Sequence, residues 1–350
     1  MAGASIDVTR RIVTLRNSHG HALHCILDEP AGGAAGARFA AVLLCPGIKT
    51  RVGPHRLYRK LAQSFVVRGI PVLRVDFYGL GDSEGELPEN RLDALYDQVQ
   101  FGRHVDDVRS ALDWLESECG IQRCIVGGLC GGAITGLLAA SDARIAGVYA
   151  IGLPVALEAL SGATAKHMTR GELVSKRVVY LRKLLRPASW LRLFSLQSDY
   201  QLIWRMLSFA LRSLAGRHRP SARLAHVPAP ASSLADDLNP KFPPAFFGFL
   251  GSGRPALLIF SERDRLRWQY EEKFAQPWAH ALEPYKSQLS VVVIPDANHI
   301  LGDPESVAEV GRQTAAWLDA CFPASSASPV ARGVTSFAAV ANRMRIIPTA

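Results

Sequence analysis

The sequence lacks the long apolar runs that membrane-spanning helices require. No segment of the 350 residues is both long and apolar enough to cross a bilayer, although 48% of the residues are hydrophobic. The first residues, "MAGASIDVTRRIV", contain no basic flank followed by an apolar stretch, so we expect no secretory signal peptide. These two absences predict a cytoplasmic protein.

Paired cysteines and internal repeats are also lacking. No two of the cysteines form a C-x-x-C pair, which argues against a zinc site and against a disulfide framework. A reducing compartment fits this cysteine usage, and we predict neither a metal nor a cofactor. The six cysteines are Cys25, Cys45, Cys119, Cys124, Cys130 and Cys321.

Acidic residues are scarce between residues 166 and 223, although the net charge of the whole chain is only +9. Glu172 and Asp199 are the only carboxylates among the many lysines and arginines of this block. One interpretation is a solvated basic surface. The other is attraction to an anionic partner, such as a phosphorylated acyl carrier, an acidic protein or a lipid surface. Nucleic acid is a weaker possibility, because no recognised binding motif accompanies the charge.

Strand-like and helix-like segments alternate along most of the chain. Residues 10–30 hold two β-like runs that suit a hairpin. A helical pattern follows from Pro54 to Arg68, with Leu57, Leu61 and Phe65 on one apolar stripe, and another lies near residues 100–118. Continuous apolar runs, typical of strands buried on both faces, are "FAAVLLCPG", "IPVLRVDFYG", "RCIVGG", "IAGVYAIGLP", "PALLIFSERD" and "QLSVVVIPDANH". This alternation predicts an α/β fold with a mostly parallel central sheet and helices on both faces.

The alternation is interrupted between residues 155 and 250. This block contains helical stretches rich in Leu, Arg and Trp and then a Pro-rich link. We predict that residues 155–250 form a helical cap insertion over one edge of the sheet. Residues 1–154 and 251–321 would then form the α/β core, and residues 322–350 a loosely attached C-terminal tail.

A cysteine lies at the centre of a glycine cluster, "GLCGG", at a predicted strand-to-helix junction. Ligands of parallel α/β sheets bind at the carboxyl ends of the strands, which is where Cys130 falls. Gly128 and Gly132 would relieve crowding in such a tight turn. The N–H of Gly131 opens the helix and is free to bind an oxyanion, and a helix N-terminus also stabilises a thiolate. A glycine-rich packing turn with an inert cysteine is the alternative.

A nucleophilic cysteine needs a base, and the base needs a group that orients it. His299, in "DANHIL" after a predicted strand, is the predicted base, and His55 is the alternative near the same sheet edge. Asp264, at the end of "ALLIFSERD", is the predicted orienting acid. Glu262 lies two residues earlier and is the alternative acid. The sequence therefore predicts a triad of Cys130, His299 and Asp264.

A second oxyanion donor is predicted in "CPGIKT", after the first buried strand. Gly47 permits a close backbone approach, the N–H of Ile48 is the predicted donor, and Pro46 has no N–H to offer. The turn "DFYGLGDSEG" (76–85) is predicted to shape the rim of the pocket. A phosphate-binding loop is not favoured there, because no P-loop Lys-Ser/Thr pair follows.

With these residues in place, the chain resembles the α/β-hydrolase superfamily over about residues 10–320. The resemblance rests on "GGLCGGA", "LLIFSERD", "PDANHIL", "CPG" and "DFYGLGDSEG". The nucleophile, acid and histidine also follow in the order that this superfamily requires. Two positions depart from it: Tyr78 stands where arginine is common, and Pro46-Gly47 replaces the usual His-Gly. More narrowly, "RVGPHRLYRKLA" and "VLRVDFYGLGDSEG" resemble the hydrolases associated with exosortase systems in bacteria.

The cysteine replaces the serine that most members of the superfamily carry at this turn. Dienelactone hydrolases and polyhydroxyalkanoate synthases also place cysteine there, so the exchange is compatible with catalysis. The resemblance implies an acyl hydrolase that acts on esters, lactones or thioesters through a covalent acyl-cysteine. An acyltransferase with the same intermediate, and a non-catalytic binding protein on the same scaffold, are the alternatives that the sequence leaves open.

Overall fold

A computed structural model describes residues 8–87, 92–157 and 237–323. The strands of this part are β1 (Thr9–Arg16), β2 (Ala22–Glu29), β3 (Ala40–Leu44), β4 (Val72–Val75), β5 (Cys124–Leu129), β6 (Ile145–Ile151), β7 (Ala256–Ser261) and β8 (Leu289–Ile294). They form one sheet in the order β1-β2-β4-β3-β5-β6-β7-β8. β2 is antiparallel to β1 and β4, and β3 to β8 are parallel to one another. The predicted hairpin and the predicted α/β fold are both confirmed.

Helices cover both faces of the sheet. They are α1 (Leu57–Val66), α2 (Leu92–Gln100), α3 (Val105–Cys119), α4 (Gly131–Ala139), α5 (Phe242–Gly251), α6 (Arg265–Gln269), α7 (Ala279–Leu282) and α8 (Pro304–Cys321). One hydrophobic core lies between the sheet and α1 and α8, and a second lies between the sheet and α3, α4 and α5. In the described part of the chain, none of the helices combines the length and the hydropathy that a bilayer span requires.

The central strands are apolar along their whole length because helices pack against both of their faces. Every residue of β3, β5, β6 and β7 is buried. Strands of this kind carry no alternating polar face, and the chain can place polar chemistry only where they end. The parallel strands β3 to β8 all end at the same edge of the sheet, and that edge carries the candidate site.

The first predicted helix begins later than its sequence pattern indicates. Pro54–Arg56 form a short turn in which His55 and Arg56 have φ values of 50° and 57°. Consecutive left-handed residues cannot continue into a right-handed helix, so α1 begins at Leu57. The predicted stripe on one side of this helix is nevertheless buried, as expected for an amphipathic helix on a sheet.

Part of the block that the sequence analysis assigns to the cap packs in the core. α5 buries Phe242, Phe246 and Phe249 in the same hydrophobic core as α3 and α4. This helix is apolar on most of its surface, and both a cap and a core helix would show that pattern. The remainder of the predicted cap, residues 158–236, lies outside the described residues, and it includes the basic block between 166 and 223. Residues 324–350 of the predicted tail also lie outside them.

The chain segments on either side of residues 158–236 lie next to each other. The N–H of Leu157 donates to the carbonyl oxygen of Asp237, and the N–H of Asn239 donates to that of Val155, both at 2.8 Å. The Asp237 carboxylate accepts a hydrogen bond from Nζ of Lys273 at 2.6 Å, and both of these side chains are buried. This buried ion pair attaches the two flanking segments to the core.

Candidate active site

Cys130 lies on a strained turn between β5 and α4. Its φ of 54° and ψ of −113° are unusual for a residue with a Cβ atom. Such conformations cost about 1–3 kcal/mol and cluster at functional sites. The N–H of Cys130 donates to the carbonyl oxygen of Ile151 at 2.8 Å, which ties the turn to β6. The structure therefore holds this cysteine in a geometry that a relaxed chain would avoid.

The thiol of Cys130 differs from most other thiols of the protein in its exposure. Cys130 is partly exposed, and so is Cys321. Burial raises the pKa values of Cys25, Cys45 and Cys124 to about 12, so these thiols stay protonated at neutral pH. Among the cysteines at the carboxyl edge of the sheet, Cys130 is the accessible one.

The glycines around Cys130 let three pieces of backbone meet. A Cβ atom on Gly132 would lie 2.3 Å from the carbonyl oxygen of Leu44, and one on Gly128 would lie 2.8 Å from the same oxygen. A Cβ atom on Gly131 would lie 2.3 Å from the Cα atom of Gly47. Real Cβ atoms essentially never approach this closely, so the sites accept only glycine without a shift. The cluster "GLCGG" thus packs the turn directly against the end of β3.

His299 hydrogen-bonds to one predicted partner and interacts electrostatically with the other. Its Nδ1 atom donates to Oδ2 of Asp264 at 2.6 Å, and Cys130 lies near enough to raise the pKa of the imidazole. Asp264 follows β7 and is itself held in place, since its Oδ1 accepts the N–H of Leu266 at 3.1 Å at the start of α6. The three predicted triad residues thus lie at one site, with a direct hydrogen bond between the imidazole and the carboxylate.

The charge balance around His299 favours the imidazolium form. Burial opposes protonation, but the hydrogen bond to Asp264 and the electrostatic interactions with Asp264 and Cys130 raise the pKa of His299 to about 10. The His299 side chain remains 38% exposed, whereas that of Asp264 is only 4% exposed. The imidazole can therefore contact a substrate while its orienting carboxylate stays shielded from water.

The alternative acid and base of the sequence analysis make other contacts. Oε2 of Glu262 accepts the backbone N–H of Asp296 at 2.8 Å. This bond helps to hold the loop that precedes His299. His55 is exposed, and its Nε2 atom lies 3.7 Å from the position that a Cβ atom on Gly302 would take. His55 therefore lies beside the His299 loop.

The predicted oxyanion donors belong to two backbone segments that touch. The N–H of Lys49 donates to the carbonyl oxygen of Pro46 at 3.2 Å, which closes a turn with Gly47 and Ile48 at its centre. The N–H groups at the centre of such a turn are not used by the turn's own hydrogen bond. Gly47 packs against Gly131 at the start of α4. The arrangement is suited to placing the N–H groups of Ile48 and Gly131 on one side of a carbonyl oxygen.

The turn after β4 contacts the segment that follows the oxyanion turn. Asp76 is fully buried and forms an ion pair with Arg51, whose guanidinium also contacts Asp82 at 2.6 Å. The N–H of Arg51 donates to Asp76 as well. A Cβ atom on Gly81 would lie 2.0 Å from the Asp76 carboxylate, so this glycine makes room for it. These contacts match a structural turn at the rim, the interpretation that the sequence analysis prefers.

Tyr58 is part of this site, and the sequence analysis does not single it out. It lies on α1 beside the predicted apolar stripe and is fully buried. Its hydroxyl donates to the carbonyl oxygen of Leu44 at 2.6 Å and accepts the N–H of Leu129 at 2.8 Å. The only sequence signal is a tyrosine on the buried side of the helix that follows the oxyanion turn. Buried hydroxyls usually need such partners.

A second histidine–carboxylate contact has a structural environment. His104 stacks on Phe77 with ring centroids 4.5 Å apart, and its Nδ1 lies 3.5 Å from the carboxylate of Asp107. Burial lowers the pKa of His104, which keeps its ring neutral. Across residues 8–87, 92–157 and 237–323, no group of three or more His, Cys, Asp or Glu side chains is arranged to hold a metal ion.

Many solved structures resemble this fold, among them the following two. A hypothetical protein from Pseudomonas aeruginosa, PA2218, is 19% identical with a TM-score of 0.53, and the alignment covers 90% of this chain and 94% of that protein. The esterase Pf2001 of Pyrococcus furiosus is 15% identical with a TM-score of 0.51, over 91% of this chain and 92% of that one. Similarities at these identities support the fold alone. No curated protein sequence matches the chain.

The sequence pattern of a protein family also matches the chain. The description of this family is alpha/beta hydrolase family, and its match covers residues 42–310, from within β3 to within α8. The match therefore includes the oxyanion turn, the strained cysteine turn and the loops of Asp264 and His299. Since it spans well over half of the chain, the protein belongs to the alpha/beta hydrolase family.

Proposed function

We propose that the protein is an acyl hydrolase with a Cys130–His299–Asp264 triad and a covalent acyl-cysteine intermediate. The observation that carries this proposal is the position of His299, which hydrogen-bonds to Asp264 at 2.6 Å and lies near enough to Cys130 for this residue to raise its pKa. Acyl transfer needs this arrangement, in which a base lies beside the nucleophile and an acid orients the base. The substrates are esters, lactones or thioesters.

In the acylation step, the proton of the Cys130 thiol moves to His299 and the thiolate attacks the carbonyl carbon. The carbonyl oxygen becomes an oxyanion that accepts hydrogen bonds from the N–H groups of Gly131 and Ile48. The bond to the leaving alkoxide or thiolate then breaks, and the leaving group takes the proton from His299. Asp264 stays ionised throughout and holds the imidazolium.

In the second step, water hydrolyses the acyl-cysteine. His299 accepts a proton from the attacking water, the carbonyl carbon forms a bond to the water oxygen, and the carbon–sulfur bond breaks. The thiolate and imidazolium are restored and the carboxylic acid leaves. Neither step requires a metal or an organic cofactor. We also propose that the insertion after β6 acts as a cap that selects the acyl chain.

Acyl transfer to an alcohol, amine or thiol is the second candidate, because an acyl-cysteine is a thioester and reacts readily with such acceptors. The partially exposed His299 can deprotonate an acceptor as easily as it deprotonates water. The narrower resemblance to exosortase-associated hydrolases, a cytoplasmic location and an anionic acyl carrier as partner remain predictions. Product analysis with and without candidate acceptors separates the two reactions.

The experiment is intact-protein mass spectrometry after incubation with a panel of p-nitrophenyl esters and acyl thioesters. We expect one added acyl group on the wild-type protein and none on the Cys130→Ala variant. Cys321→Ala is the matched control, since Cys321 is the other partly exposed thiol among the described residues. This control variant should form the adduct like the wild-type protein.

Two results would overturn the proposal. One is an acyl adduct that persists in Cys130→Ala. The other is a wild-type protein in which iodoacetamide alkylates Cys130 no faster than Cys321 and which no ester acylates. That result would favour a binding protein. Free acid that forms at the same rate with and without acceptors would eliminate transfer and leave hydrolysis.

A further inference from the structure

The hydroxyl of Tyr58 connects the ends of the two strands that carry the proposed chemistry. It donates to the carbonyl oxygen of Leu44 at 2.6 Å and accepts the N–H of Leu129 at 2.8 Å. Leu44 is the last residue of β3 and leads into the oxyanion turn with Ile48. Leu129 is the last residue of β5 and directly precedes Cys130. One oxygen atom therefore bridges the nucleophile side and the oxyanion side of the site.

The sheet itself does not provide this link. The parallel pairing of β3 with β5 runs from Ala40 opposite Cys124 to Leu43 opposite Gly127, and the paired register ends there. Beyond that point Gly128 and Leu129 of β5 are paired with β6 on the other side, and the strained turn at Cys130 follows. The Tyr58 hydroxyl supplies the next connection between the two strands.

The Tyr58 hydroxyl leaves no room for a side chain at position 128. A Cβ atom on Gly128 would lie 2.4 Å from the Tyr58 oxygen, so the first glycine of "GLCGG" makes room for the hydroxyl. Tyr58 is fully buried. Burial raises its pKa well above the usual value of tyrosine, and its hydroxyl remains a protonated donor at any working pH.

We propose that Tyr58 is a positioning residue that sets the separation between the Cys130 sulfur and the Ile48 N–H. This inference rests on the proposed function, because only a reaction through an oxyanion needs that separation. Without the hydroxyl, the N–H of Leu129 and the carbonyl of Leu44 lose a shared partner and the strand ends are free to move apart. A misplacement of about 1 Å lowers the rate of such a step by up to about 100-fold.

The test compares Tyr58→Phe with Tyr149→Phe. Tyr149 is also fully buried. Its hydroxyl bonds to a side chain, Oγ1 of Thr314 at 2.9 Å, and not to the ends of β3 and β5. Two rates are measured on each protein: acylation of Cys130 by a p-nitrophenyl ester, which forms an oxyanion, and alkylation of Cys130 by iodoacetamide, which does not. The melting temperature reports the general cost of losing a buried hydroxyl.

In Tyr58→Phe we expect acylation to fall about 10- to 100-fold while alkylation stays within about threefold of wild type. In Tyr149→Phe both rates should stay within about threefold, with a similar change in melting temperature. The proposal is wrong if acylation by Tyr58→Phe stays within threefold of wild type. It is also wrong if acylation and alkylation fall by the same factor, which a purely structural role would produce.

Amide hydrogen exchange at Leu129 separates this inference from the proposed function. Tyr58→Phe should speed exchange of that amide at least about tenfold, because its acceptor is lost, whereas Tyr149→Phe should not. An unchanged exchange rate at the Leu129 amide would show that the Tyr58 hydroxyl does not hold the two strand ends together, even if the enzyme is active. A wild-type protein that is alkylated but never acylated would overturn the proposed function, and the exchange result would then decide the bridge alone.

Discussion

The substitution Gly132→Ala tests the close approach between the cysteine turn and the end of β3. Gly132 lies in the first turn of α4, and a Cβ atom there would lie 2.3 Å from the carbonyl oxygen of Leu44 and 3.0 Å from that of Cys45. Both are backbone atoms of the strand end, so neither can rotate away. Ordinary contact begins near 3.4 Å, and α4 and β3 must therefore separate by about 1 Å.

Two opposing effects set the expected stability of this variant. Alanine in place of glycine within a helix gains about 1 kcal/mol. Overpacking that moves backbone costs about 1–3 kcal/mol, and the rigidity of the strand end places this case at the upper end. We expect a net loss of about 1–2 kcal/mol in the free energy of unfolding. Acylation should fall more steeply, by about 10- to 100-fold, because the 1 Å displacement moves the oxyanion turn away from Cys130.

The matched control is Gly248→Ala on α5, where a Cβ atom would meet nothing within 4 Å. This control should gain up to about 1 kcal/mol and leave the acylation rate unchanged. Urea unfolding gives the stability of each variant, and stopped-flow release of p-nitrophenol gives the acylation rate. If Gly132→Ala were as stable as Gly248→Ala and were acylated at the wild-type rate, the tight contact would not exist and this reasoning would fail.

Three further predictions concern charge. Asp237→Asn leaves the buried Lys273 ammonium without its counter-charge and should lower the free energy of unfolding, measured with urea, by about 3–5 kcal/mol. The control Glu283→Gln removes an exposed ion pair and should cost less than about 0.5 kcal/mol. Equal losses in the two variants would contradict the burial of the Asp237–Lys273 pair. Asp264→Asn should lower the pKa of His299 in an NMR titration, because it removes the carboxylate charge that stabilises the imidazolium. An unchanged pKa would contradict that contact. Since the pKa of His299 is raised from 6.5 to about 10 on folding, its stabilising contribution is complete below pH 6.5 and is lost as the pH rises through 10. The difference in the free energy of unfolding between wild type and His299→Gln should therefore narrow between pH 6.5 and pH 10. A difference that stays constant over this pH range would show that protonation of His299 does not stabilise the fold.

Much of the sheet was predictable because its strands are buried on both faces. A run such as "AAVLL" has no polar face to maintain, so its burial can be read from composition alone. Helix boundaries depend on single backbone angles, and the left-handed His55 and Arg56 carry no sequence signal that separates them from a first helical turn. The break in the alternation of strands and helices predicts a cap over residues 155–250, and α5 does not correct this prediction because a helix that is apolar all round does not reveal what it packs against.

The three candidate catalytic side chains were predictable for a different reason. Each follows a separate strand, and the carboxyl ends of parallel strands converge at one edge whatever the exact register. Tyr58 could not be found in this way, because its partners lie 14 and 71 residues away and are backbone groups. The purpose of each glycine in "GLCGG" is likewise set by contacts with β3 and Gly47, which only the folded chain brings together.

The environment of His299 also bears on why a thiol, rather than a hydroxyl, occupies the turn. An imidazole whose pKa is raised to about 10 holds a proton strongly at neutral pH, which favours transfer of the Cys130 thiol proton to His299 before the attack. It can stabilise a thiolate that has already formed and donate its proton to the leaving group. Part of the raised pKa of His299 comes from Cys130 itself, so the imidazolium and the thiolate of the proposed mechanism would stabilise each other. We infer that Cys130→Ser would lose this mutual stabilisation, since a serine hydroxyl stays protonated beside an imidazole, and acylation would then depend on proton transfer during the attack.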